Sequence, residues 1–186
     1  MMATQIVYPL LTAEEFLEID FGDRKAELDN GVIRMMAGGT ARHARVQVNI
    51  LVALANRLRG SGCTPYNSDM AARTRDRSVR YPDVSVYCGR DEAKDDEKKA
   101  FDDPRAVFEV LSAGTARTDL REKLDEYKAL SSVDTIVFVD IATERLRIVQ
   151  RTGPNGWSDD TYDVETDVRL PTLNLVIPHA EIFARD

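Results

Sequence analysis

Two cysteines in 186 residues are too few for a disulfide framework or a structural zinc site. No apolar run reaches membrane-spanning length. The opening residues, MMATQIVYPLLTAEEF, show no basic stretch ahead of an apolar one, so they do not read as an export signal. Gly 10 and Pro 7 are ordinary counts, which excludes collagen-like and low-complexity chains. A basic excess is also missing: Lys+Arg 25 against Asp+Glu 32 leaves a net charge of −7. A strong general nucleic-acid binder needs a broad basic surface to displace counterions. A local basic strip stays open, and so does a cation held by clustered carboxylates. Cys63 and Cys88 are 25 positions apart. Without an export pattern they are expected to be free, buried, small apolar residues in a reducing cytoplasm.

The residue set AVILMFWYC makes up 43% of the chain, enough to bury one real core. No internal repeat, linker or charge block divides it, so residues 1–186 read as one domain. The one composition shift, Arg90–Asp103, is almost all charged and is expected to be a solvated loop or short helix.

Local signals are clear in several places. Thr12-x-x-Glu15 is a capping box ahead of Phe16, Leu17 and Ile19. Asn30-Gly31 between apolar runs predicts a hairpin. A helix is expected from about Thr40 to Arg59, with Ile50, Leu54 and Leu58 at near-helical spacing and Gly60 at its end. Strands are expected at Asp69–Arg75, Pro82–Cys88 and Ala106–Leu111. A helix then runs from Thr118 to about Leu130. Thr135–Ile141 reads as a buried strand with Leu146–Gln150 as its hairpin partner, Leu170–Ile177 as a further strand, and His179–Phe183 as a terminal helix turn. The order implies an α+β (α/β-like) fold, with a central mixed sheet flanked by helices.

Some residues do not suit a core. Glu109 lies in an apolar strand and shares a face with Val107 and Leu111. A buried carboxylate must find a cation, a metal or a proton. An ion pair or an edge position would also serve. Asp83 follows Pro82 and is either a turn residue or a second site acid. Lys123 borders the stripe of Leu120, Leu124 and Tyr127, as a snorkelling lysine or as part of a site. Glu27 lies in the first hairpin strand. His43 stands near the start of the long helix, in a structural or a functional role. Acids on neighbouring strands, a third acid on a hairpin and a lysine could meet at one end of the sheet. Carboxylates, carbonyl oxygens and water hold hard cations such as Mg²⁺, which activate water and offset charge on a phosphate. That is the chemistry of phosphodiester hydrolysis.

The series Pro82-Asp83, Glu109-Val110-Leu111 and Lys123 resembles the PD-(D/E)XK nuclease superfamily, and the whole chain looks like its Uma-two family of restriction endonucleases. The likeness includes Thr12–Leu17 (TAEEFL), Ala26–Met36 (AELDNGVIRMM), His43, Pro82–Val86 (PDVSV), Phe108–Ser112 (FEVLS), Asp119, Lys123 and Tyr127. It implies a restriction-endonuclease-like core. Asp83 and Glu109 would be metal ligands, the Val110 carbonyl a third, and Glu27, the acid the superfamily often adds, would support the metal or its water. The superfamily motif has lysine where this chain has Leu111. In this family the following helix is expected to supply it, as Lys123. Tyr127 would orient that lysine or contact substrate.

Arg73, Arg75 and Arg77 would share one face of an extended segment and could grip phosphates, or could guard a solvated strand edge. Arg42 and Arg45 flank His43. The leading expectation is a Mg²⁺- or Mn²⁺-dependent DNA endonuclease. Asp83, Glu109, Lys123 and Glu27 would be its catalytic group, and it would work as a homodimer because duplex cleavage needs two sites. The rivals are a nuclease fold that binds nucleic acid or protein without catalysis, and a metal-dependent hydrolase of RNA or a small phosphodiester.

Overall fold

In a computed structural model the described residues are 9–112 and 117–185, apart from the side chains of 92 and 117–119. A short helix, α1 (Ala13–Leu17), is closed by the Thr12 hydroxyl and the Glu15 carboxylate, each bonded to the other's backbone amide. β1 (Ala26–Asp29) and β2 (Val32–Met35) form an antiparallel hairpin. Its turn puts both Asn30 (φ 47°) and Gly31 (φ 86°) in the left-handed region. That geometry matches the twist of the flanking strands. α2 (Ala41–Leu58) starts at the Thr40 hydroxyl, which accepts the His43 amide at 3.2 Å.

Four strands follow: β3 (Cys63–Asn67), β4 (Ala71–Arg75), β5 (Ser78–Arg80) and β6 (Val84–Cys88). The charged segment folds as α3 (Glu92–Asp95) and a two-residue strand, β7 (Ala100–Phe101). Next come β8 (Ala106–Leu111), α4 (Arg117–Ala129), β9 (Thr135–Asp140), β10 (Arg145–Arg151) and β11 (Trp157–Tyr162). The chain closes with β12 (Val168–Leu170), β13 (Leu175–Ile177) and α5 (His179–Ile182).

The expected central mixed sheet flanked by helices is present, and another large sheet accompanies it. One has the order β2-β1-β5-β4-β7 and the other β11-β10-β9-β8-β6-β3. The second is mixed: β8 and β9 are parallel, while its other pairs are antiparallel. α2 covers one face of it through Val46, Ile50 and Leu54, which pack on Phe108, Val110, Val137 and Val139. α4 covers the other through Leu124 and Tyr127 on Val107, Ile136 and Phe138. Helices on both faces explain why β8 and β9 are almost continuously apolar. Full burial of each large apolar side chain contributes about 1.5–3 kcal/mol. Phe16 of α1 covers Leu28 and Val79 of the first sheet in a separate cluster.

Two expectations are corrected. Cys63 and Cys88 are half-buried and joined in a disulfide. They stand directly opposite on β3 and β6, and pairing of distant strands is not visible in their spacing. The argument from free thiols to a reducing compartment therefore falls. Leu170–Ile177 is not one strand. Pro171 opens a 3-10 turn, and Asn174 at φ 50° sends the chain back, so β12 and β13 pair as a hairpin. Among the described residues no helix is long and apolar enough to cross a membrane.

Candidate active site

The chain leaves the first sheet at Arg80 and enters the second at Val84. Tyr81, Pro82 and Asp83 are therefore the bridge between the sheets. β6 and β8 are antiparallel with Val84 opposite Phe108, so this register sets Asp83 beside Glu109. β1 contributes Glu27 from the first sheet, and α4 contributes Lys123. All four line one cavity of about 620 Å³, together with His43 and Val110.

Each side chain is held. The Val110 amide donates to Asp83 Oδ2 at 2.7 Å, and Gln47 Nε2 donates to the Asp83 carbonyl at 2.8 Å. His43 Nε2 lies 3.5 Å from Asp83 Oδ2. Gly39 lies against the His43 ring: a Cβ there would stand 2.9 Å from Nδ1. Lys123 Nζ donates to Glu27 Oε1 at 2.9 Å and lies 3.6 Å from Glu109 Oε1. The Tyr127 hydroxyl donates to Glu109 Oε1 at 2.6 Å. The Tyr81 amide donates to Glu27 Oε1 at 3.1 Å.

Burial is the main force that moves Glu109. It pushes the carboxyl up to about 7, and the charges of Asp83 and Glu27 add to the rise, against the pull of Lys123 and the Tyr127 bond. The cavity thus gathers more carboxylates than cations. The hydrogen bond to Asp83 raises the His43 pKa above its ordinary value despite partial burial, and the Val110 carbonyl adds to the rise. Burial and the neighbouring Glu109 raise the Tyr127 phenol well above its usual range.

Behind the cavity lies a polar core that the sequence reading passed over. Arg80 is fully buried. It donates to both oxygens of Glu126 at 2.8 Å and to Asp29 at 3.0 Å, and it reaches Glu27 at 3.4 Å. Thr74 also donates to Glu126, at 2.7 Å. Glu27 therefore stands between two cations, Arg80 and Lys123. A signal was present: Lys123, Glu126 and Tyr127 fall at i, i+3 and i+4, one helical face.

Other expected residues go elsewhere. Arg73 pairs with Glu14 of α1. Arg75 and Arg77 are exposed at the β4–β5 turn, and none of the three arginines lines the cavity. The alternating pattern would put them on one face of an extended segment, but β4 ends at Arg75 and Arg77 lies in the turn before β5. Arg42 pairs with Glu144, and Arg45 is exposed. Tyr127 is fully buried, with its hydroxyl on the Glu109 carboxylate. The loop 113–115 and the Asp119 side chain lie outside the described residues.

Residues 13–181 match the Uma2 family, described as "Putative restriction endonuclease". The chain belongs to this family. It is similar to two uncharacterized proteins of Synechocystis sp. One, slr1290, is 26% identical over 170 residues, covering 90% of this chain and 88% of that protein. The other, sll1609, is 27% identical over 150 residues, covering 80% and 85%. Among solved structures it resembles one described as "a putative nuclease belonging to DUF820" from Anabaena variabilis. That likeness has a TM-score of 0.77 and 16% identity, and covers 94% of this chain and 98% of the other. It shows a shared nuclease-like fold, as the expectation of a restriction-endonuclease-like core requires.

Proposed function

We propose that this Uma2-family chain is a metal-dependent endonuclease acting on phosphodiester bonds of DNA, as one domain. The observation that carries the proposal is the meeting of Asp83, Glu109 and Lys123, from three separate elements, on one cavity. Among the described residues no group of three or more His, Cys, Asp or Glu side chains is gathered as a metal cage. The donors here are two carboxylates, Asp83 and Glu109, with the Val110 carbonyl next in line. That set suits Mg²⁺ or Mn²⁺, which are commonly held by one or two carboxylates with water and substrate phosphate completing the shell. Burial, with the charges of Asp83 and Glu27 adding to it, pushes Glu109 up to about 7, and a divalent cation in the cavity would relieve that carboxylate. When bound, such a cation lowers the pKa of a water and offsets charge growing on the phosphate.

The chain's own residues do the rest. Tyr127 fixes Glu109, and the Val110 amide fixes Asp83. Glu27, anchored by Arg80 and the Tyr81 amide, keeps the Lys123 ammonium at the cavity wall as a point charge for a phosphate or the attacking water. One such site cuts one strand. Cutting both strands of a duplex takes two, in a homodimer.

Calorimetric titration of Mn²⁺ into wild-type protein and Asp83→Ala tests the metal site, and DNA, RNA and a small diester are then screened for cleavage. Binding and cleavage that both disappear in Asp83→Ala are expected. Cleavage retained in that variant would overturn the assignment. The rival reading, a binding protein without catalysis, is favoured by Leu111 in the superfamily's lysine position. It predicts nucleic-acid binding without turnover, and binding unaffected by Lys123→Ala.

A further inference from the structure

The cavity has two kinds of wall. Its acids and Lys123 form a charged part. Met35 and Met36 at the end of β2, together with Leu120 of α4, form an apolar part, and the half-buried Tyr81 also lines the cavity. Met35 is 49% exposed although it borders a polar site. An exposed apolar side chain at a binding cavity is available for contact with an apolar ligand surface.

The charge balance of the cavity argues against a duplex laid along it. Glu27, Asp83, Glu109 and Glu122 line it, against Arg34 and Lys123, with the His43 imidazole beside Asp83. Both cations already contact carboxylates: Arg34 that of Asp29, and Lys123 that of Glu27. The arginines at 73, 75 and 77 lie outside. Affinity for a duplex backbone comes mainly from cations that displace counterions, and few are offered here. A volume of about 620 Å³ is that of a pocket enclosing one small organic molecule. A nucleobase has a π face that rests on aromatic and apolar side chains, and this contact needs no particular base sequence.

We propose that this site takes an unpaired nucleotide of a DNA strand, its base against Met35, Met36 and Tyr81 and its phosphate at Asp83 and Glu109, so that single strands are preferred to duplex. The placing of the phosphate rests on the nuclease reading above. For this substrate one copy of the chain suffices.

The test is fluorescence anisotropy in Mn²⁺ with a labelled DNA oligonucleotide, single-stranded or annealed to its complement, followed by electrophoresis for cleavage. Single-stranded DNA should bind about tenfold more tightly than duplex. The double variant Met35→Ser, Met36→Ser should lose about fivefold in single-strand affinity and leave duplex binding unchanged. The rim position of these side chains makes misfolding no obstacle, and a thermal melt checks it. Equal or tighter duplex binding overturns the inference, and so does a double variant indistinguishable from wild type. Single strands bound preferentially but never cut would overturn the nuclease reading and leave this inference standing.

Discussion

Glu109→Gln should stabilise the metal-free protein at alkaline pH while abolishing the proposed cleavage. Glu109 is 7% exposed and is held near pH 7 against an ordinary 4.5, first by burial and then by Asp83 and Glu27. Between those values the folded protein keeps a proton that the unfolded chain has released. Stability therefore falls as pH rises, by about 1.4 kcal/mol for each pH unit, or roughly 3 kcal/mol across the interval. Below the lower value both states are protonated and the loss is absent. Glutamine keeps the shape and the acceptor oxygen for Tyr127 and Lys123 but never ionises.

The assay is urea denaturation in EDTA at pH 5 and pH 8. The two proteins should be close at pH 5. At pH 8 the variant should be more stable by up to about 3 kcal/mol, or roughly 6–12 °C in melting temperature for a chain of this size. Titrating groups remote from Glu109 are shared, so their contributions cancel in the difference. Added Mn²⁺ should raise the stability of wild type by mass action and leave the variant unmoved. The reasoning is refuted if both proteins show the same pH slope, or if the variant is the weaker at pH 8. A site acid that costs the apo fold stability is what a cation-binding cavity predicts. A carboxylate kept for a structural ion pair would behave in the opposite way.

Three further predictions concern the surroundings of the site. Arg80→Met leaves Glu27, Asp29 and Glu126 buried without their shared guanidinium; urea midpoints should fall by an amount worth about 3–5 kcal/mol, and an unchanged midpoint would refute the structural role. Reduction of Cys63–Cys88 by dithiothreitol releases a loop with a sequence separation of 25, so stability should drop by about 3.5 kcal/mol on loop entropy; an identical melt with and without reductant would count against the pairing. The His43 ring protons, followed by NMR, should titrate above the ordinary 6.5, and Asp83→Asn should bring the midpoint down. The stability this pair contributes is complete below pH 6.5 and is lost as pH rises through the folded value; an unmoved midpoint in Asp83→Asn would refute the contact.

Much of the site was legible because each of its members breaks a local rule. Glu109 interrupts an apolar strand, Lys123 borders an apolar helical stripe, and Glu27 sits in a hairpin strand that is buried throughout. Arg80 was passed over because it reads as one of a run of arginines. Only the packing of β1, β5 and α4 around it shows that it is the buried partner of three acids, while its neighbours in sequence are ion-paired or solvated at the surface.

The chain's own order of residues determined the caps at Thr12 and Thr40, the Asn30-Gly31 turn and the apolar runs of β8 and β9. These depend on forces that act within a few residues. Tertiary structure alone decided that Asp83 faces Glu109, that Cys63 meets Cys88, that the strands divide into two sheets and that Arg73, Arg75 and Arg77 do not line the cavity. Those outcomes depend on which distant strands pair and in what register. Register is set by the burial of whole faces across the fold, and no window of neighbouring residues contains that information.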